Sequence, residues 1–136
     1  MAIRIVQLGS ARQPGEGLRV GTVRRPPRGV PKQEFASRNY YDTWLPALAP
    51  SAELMAEGKL AASPADWEIF ARKYRAEMRT PAAGQLLDLL AALSRTSAFS
   101  VGCYCEHEER CHRSLLRQLL VEHGALLHAD STGPAL

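Results

Sequence analysis

Apolar and polar positions alternate or recur along this chain in a way that divides it into strands and helices. Ile3, Ile5 and Val6 form a short apolar run closed by Gly9-Ser10, which predicts a first strand. A turn-rich stretch with Pro14-Gly15 and Gly17 follows, and Leu18 to Val23 reads as a second strand. Arg24-Arg25-Pro26-Pro27-Arg28-Gly29-Val30-Pro31 is a stiff basic loop, because proline removes backbone donors and biases its predecessor toward extended geometry. Residues 34 to 60 mix Tyr40, Tyr41, Trp44 and Leu45 with Pro46 and Pro50, which predicts extended chain and short helical turns over the core. Ser63-Pro64 then starts a helix whose Trp67, Phe70, Ala71, Tyr74 and Met78 recur at spacings of three and four. Thr80-Pro81 repeats the signal, and Leu86, Leu87, Leu90 and Leu93 carry a second helix to about Ser94.

Ala98 to Cys105 reads as a strand with Phe99, Val101, Cys103 and Cys105 on one face. An acidic loop leads to a helix over about Cys111 to His123, stopped by Gly124, and Ala125 to His128 is placed as a last short strand. Residues 130 to 136 offer little to bury and are expected to fray. Strands, helices, then strand-helix-strand predict an α/β fold: one compact domain over residues 1–129, with a mixed or largely parallel sheet flanked by helices.

Composition narrows the class. In 136 residues, 46% are hydrophobic and 23% charged, near the globular average, which excludes wholesale disorder and collagen-like chains. No run of 18 apolar residues occurs, and Met1 to Ile5 has no basic stretch leading into a long apolar one, so membrane spanning and secretion are not expected. Three cysteines, at 103, 105 and 111, suit a reducing cytoplasm better than a disulfide framework. The net charge of +3 hides an asymmetry, since residues 1–38 hold eight basic side chains against Glu16 and Glu34. That excess points to an anionic partner, a small molecule or a nucleic acid, as readily as to a solvated basic surface.

The densest chemistry lies between Val101 and Arg113, at the carboxyl end of a predicted strand and the start of the next helix, where open α/β sheets hold ligands. On a helical wheel His112 projects with Leu115, Leu116, Leu119 and Leu120, while Arg110, Arg113 and Arg117 lie on the opposite side. His112 and Cys111 would thereby approach Cys103 and Cys105. Three readings follow. The four residues could bind zinc, although a single residue between the paired cysteines departs from the usual spacing. Alternatively Cys105 or Cys111 is a nucleophile and His112 a proton carrier. In the third, all are packing residues, since free cysteine is often buried. A phosphatase-type loop fails: it needs five residues between cysteine and arginine, whereas six separate Cys103 and four separate Cys105 from Arg110, and Glu106, Glu108 and Glu109 would repel an anion.

Several words carry a family likeness: Gly17-Leu18-Arg19-Val20 with Arg24, Pro27-Arg28-Gly29 with Lys32, Trp44, Pro50-Ser51 with Glu53-Leu54, and Cys111-His112-Arg113-Ser114 after the cysteine-bearing strand. In this order the chain resembles the bacterial YeaO-like proteins, the domain of unknown function 488 family. The resemblance implies a compact intracellular α/β fold without a settled activity. It also implies a site between the Arg24–Lys32 loop and the Cys111–Ser114 helix start. The resulting expectation is an enzyme-like protein holding an anionic ligand, nucleotide or nucleic acid. Arg24, Arg28, Lys32, Arg113 and Ser114 would bind, and His112, Cys105 and Cys111 would react. The competing expectations are a nucleic-acid module without catalysis, in which Tyr40, Tyr41 and Trp44 stack on bases, and an interaction protein stabilised by zinc or thiols.

Overall fold

A computed structural model describes residues 1–129. Four strands, β1 (Ala2–Gln7), β2 (Leu18–Gly21), β3 (Thr43–Trp44) and β4 (Ala98–Cys103), form one sheet in the order β1-β4-β2-β3. Every neighbouring pair is parallel, as the α/β reading anticipated. β4 lies between β1 and β2 and is buried along nearly its whole length, as a strand covered on both faces must be. Four helices accompany the sheet: α1 (Ala52–Leu60), α2 (Pro64–Glu77), α3 (Pro81–Leu93) and α4 (His112–Glu122). None is long and apolar enough to cross a membrane.

The helix starts follow their capping residues. The Ser63 and Thr80 side chains accept from the N–H groups of Asp66 and Ala83, and a proline occupies the first helical position in both cases. Phe70 and Tyr74 of α2, Leu87 and Leu90 of α3, and Leu115, Leu116, Leu119 and Leu120 of α4 enter one core with Ile3, Val20, Phe99 and Val101. A smaller cluster of Leu8, Val23, Tyr41, Cys103 and Cys111 lies beyond the carboxyl ends of the strands.

Four sequence expectations are corrected. Residues 52–60 are an α-helix, although only Leu54 of it is buried. Ser51 caps it by accepting from Leu54 N–H, and Glu77 of α2 accepts from both the N–H and the hydroxyl of Ser51. β2 and β4 stop earlier than expected, at Gly21 and Cys103. Thr22 then donates both its N–H and its hydroxyl to the Gly102 carbonyl. Finally, the segment after α4 contributes a single parallel bridge, Leu127 to Ile3, rather than a strand. The expected fraying of residues 130–136 lies outside the described residues.

An ion pair ties the strands to the loops before the site. Arg19 on β2 is fully buried, with Nε and Nη2 donating to the two carboxylate oxygens of Glu16 at 2.7 and 3.0 Å. Its Nη1 donates to the carbonyls of Ser10 and Asn39. Ser100 of β4 donates its hydroxyl to Glu16 at 2.8 Å. Burial pushes the Glu16 carboxyl up, but hydrogen bonds from Arg19, Gln13 and Ser100 outweigh it and hold it at about 2.

Candidate thiol and histidine centre

The parallel sheet brings the ends of β1, β2 and β4 to one edge, where Gln7 faces Cys103 and Gly21 faces Gly102. Tyr104 continues from β4 and is pinned twice. Its carbonyl accepts from Gln7 Nε2 at 3.2 Å, and its hydroxyl donates to the Arg25 carbonyl at 2.8 Å. The stem of the basic loop therefore sits beside the cysteine-bearing strand. No Cβ could be added at Gly21 without overlapping the Tyr41 ring, or at Gly102 without overlapping the Val6 carbonyl. These two glycines let the aromatic cover and β1 approach the site.

α4 begins against this edge. His112 is 4% exposed, and its Nε2 lies 2.7 Å from the Thr22 carbonyl. A carbonyl only accepts, so Nε2 carries the proton and donates. Burial pushes the imidazole pKa down, against the opposing Thr22 hydrogen bond, which favours the neutral ring. Its Nδ1 lone pair then faces Cys111 Sγ at 3.7 Å. Cys103 Sγ, Cys111 Sγ and a His112 ring nitrogen all lie within 4.8 Å of one another, and all three residues are buried. Together they could hold a metal ion.

Cys105 lies outside that triplet and is exposed. The neighbouring thiols of Cys103 and Cys111 lower its pKa, helped by His112 and Arg113 and opposed by burial. The neighbouring thiols of Cys105 and Cys111, together with burial, raise that of Cys103. At Cys111 the Cys103 thiol pulls down, while the Cys105 thiol and burial push up, and the net direction is up. Of the three thiols, only that of Cys105 is pushed down, while the two buried ones are pushed up.

Arg113 departs from the helical-wheel expectation, being buried rather than facing away from the core. The loop after Cys105 folds over the first turn of α4, so Arg113 Nη2 reaches the Cys105 carbonyl at 2.8 Å. Its Nε and the Tyr41 hydroxyl are buried without a hydrogen-bond partner among the described residues. Arg24 spends its guanidinium on the carbonyls of Pro46, Ala49 and Pro50, and Ser114 donates its hydroxyl to the Cys111 carbonyl. Both side chains are occupied inside the protein. Arg28 and Lys32 are exposed on the loop. Two surface cavities border α1 and α2, and none of the candidate residues lines either one.

Cys103, Cys105, Cys111, His112 and Arg113 are therefore brought together, whereas Arg24 is tied to the segment before α1. The Thr22 carbonyl that fixes the His112 tautomer had no signal in the sequence, because every residue carries such an acceptor. The family model DUF488-N3a, described as the active DUF488-N3 subclade, matches residues 3–124. The chain belongs to the DUF488-N3a family. This DUF488-N3a chain thus bears out the likeness to YeaO-like proteins, which DUF488 includes. No curated protein and no solved structure matches it.

Proposed function

We propose that this DUF488-N3a protein is a zinc–thiolate protein of enzyme-like design. Cys103, Cys111 and His112 hold the ion, and Cys105 supplies a weaker, exchangeable fourth ligand. One observation carries the reading: His112 Nε2 donates to the Thr22 carbonyl, which leaves Nδ1 among two buried thiols. Metal-binding histidines are commonly oriented by such a hydrogen bond from the other ring nitrogen. Thiolate and imidazole donors are the usual zinc set. Bound zinc would act as a Lewis acid and keep its thiolates deprotonated. The reduced thiols suit a cytoplasmic protein.

The test is metal content after purification without added metal, by native mass spectrometry. One zinc per chain is expected. Cys103→Ser, Cys111→Ser and His112→Ala should each weaken zinc binding by about tenfold or more. A chain that retains no zinc, with His112→Ala lowering only thermal stability, overturns the reading in favour of packing.

A second reading is favoured by the unpartnered Arg113 Nε: an anionic ligand, nucleotide or nucleic acid, meets the centre beside Cys105. Arg28 and Lys32 would extend that contact, with Arg24 acting only to hold the loop. A steep salt dependence over several phosphates favours nucleic acid, and saturable binding of a mononucleotide favours a small molecule. Failure of both to bind overturns it.

A further inference from the structure

Away from the centre, the surface carries an acidic, partly apolar groove and a basic loop of matching chemistry. The two cavities on α1 and α2, of about 240 and 540 Å³, share Glu57 and run into one groove. Spacings of three and four put Glu53, Glu57 and Leu60 of α1 on one wall and Asp66, Ile69 and Lys73 of α2 on the other. Leu60 is 83% exposed and Ile69 44%, so the end nearest the α1–α2 turn is an open apolar surface. The rest is acidic, because Glu53, Glu57 and Asp66 outnumber Lys73, which is already paired with Glu57 at 2.6 Å. The loop after β2 is the complement. Arg25, Arg28 and Lys32 are exposed, without a hydrogen-bond or ion-pair partner among the described residues. No acidic residue stands between them. Pro26 and Pro31 are exposed beside them, and prolines stiffen the segment before any partner arrives, which lowers the entropy lost on docking.

We infer that the α1–α2 groove receives the loop of residues 25–32 from a second copy of this chain, and that the exchange is reciprocal. Within one chain the loop stem is fixed to Tyr104 through the Arg25 carbonyl, and no loop residue lines either cavity. Arg24 donates to the carbonyls of Pro46, Ala49 and Pro50, and the next residue, Ser51, lines the groove. Loop stem and groove are therefore neighbours on one side of the molecule. A twofold axis between them lays each loop on the partner's groove, so the assembly closes as a dimer instead of growing into a filament. Arg28 and Lys32 meet Glu53 and Glu57, while the exposed prolines cover Leu60 and Ile69. The contact is independent of the zinc reading, and a nucleotide or nucleic acid held by Arg28 and Lys32 would compete with it.

The experiment weighs the full chain by sedimentation equilibrium at about 50 mM and about 500 mM salt, either side of the 0.1 M at which screening acts beyond about 10 Å. A dimer of two 14.9 kDa chains is expected at low salt, with a dissociation constant about tenfold or more higher at high salt. Glu53→Lys with Glu57→Lys puts cations in the groove, and Arg28→Glu with Lys32→Glu puts carboxylates on the loop. Each double variant, with a native circular dichroism spectrum, should be monomeric alone. Mixed in equal amounts, the two should form a heterodimer, because each groove then faces a loop of opposite charge. Leu60→Asp, at a side chain too exposed to be needed for folding, should weaken the native dimer by about tenfold or more. A native chain that stays monomeric at low salt overturns the inference and leaves the groove to a different basic protein. Double variants that remain monomeric when mixed overturn it too. So does a dimer indifferent to salt and to the charge variants but lost in Leu89→Glu, which would place the contact on the exposed leucines of α3.

Discussion

Replacing Glu16 by Gln tests the buried pair that anchors β2 beside the site. Glu16 is 2% exposed and Arg19 is fully buried, so neither charge has solvent to fall back on. The substitution keeps shape and one acceptor oxygen but leaves the Arg19 guanidinium without a counter-charge. A carboxyl held at about 2 rather than its ordinary 4.5 corresponds to ~3 kcal/mol of stability at neutral pH. Breaking a buried pair from one side costs about 3–5 kcal/mol, which agrees. Because the folded value is depressed, the contribution is fully present above pH 4.5 and is lost as pH falls toward about 2. The gap between native and Glu16→Gln proteins should therefore be ~3 kcal/mol at neutral pH and shrink to less than half of that by about pH 3. Urea unfolding followed by circular dichroism across this range gives both numbers. A gap that stays constant with pH, or one under about 1 kcal/mol at neutral pH, would refute the assignment of a charged, buried pair.

Three further outcomes follow from the packing around the centre. Arg24→Ala should lower stability by about 1.5–3 kcal/mol, through loss of its carbonyl contacts, and leave nucleotide affinity unchanged; reduced affinity in a normally stable variant would return Arg24 to the ligand site. Gly21→Ala should destabilise by about 1–3 kcal/mol in thermal unfolding, because the new methyl overlaps the Tyr41 ring, and an unchanged melting point would contradict that approach. Tyr41→Phe removes a buried hydroxyl that has no partner, so stability should hold or rise; a loss of more than about 1 kcal/mol would mean that the hydroxyl is bonded.

What could be read from the sequence was whatever local chemistry decides. Ser63-Pro64 and Thr80-Pro81 announce helix starts because cap and proline act within one turn, and both caps form. The partners of His112 were also legible, since its place among the α4 leucines turns it toward the sheet and Cys103. α1 was hidden because tertiary contacts hold it: Glu77 grips Ser51, and Gly58 lies close against the Phe70 ring. Arg113 was misplaced by the wheel for a similar reason, because angle alone ignores a loop folding over the first turn. Arg19, which looked like one more member of a basic surface, is satisfied by Glu16 and two carbonyls from distant loops. Charge counting sees the arginine but not its partners.

The central claim is that His112 Nδ1 and the neighbouring thiolates share one metal ion. X-ray absorption at the zinc edge, on protein purified without added metal, examines those ligands directly. Two to three sulfurs at about 2.3 Å and one imidazole nitrogen at about 2.0 Å are expected, with the nitrogen contribution lost in His112→Ala. A shell of oxygen and nitrogen alone, or a spectrum unaltered by His112→Ala, would contradict the account.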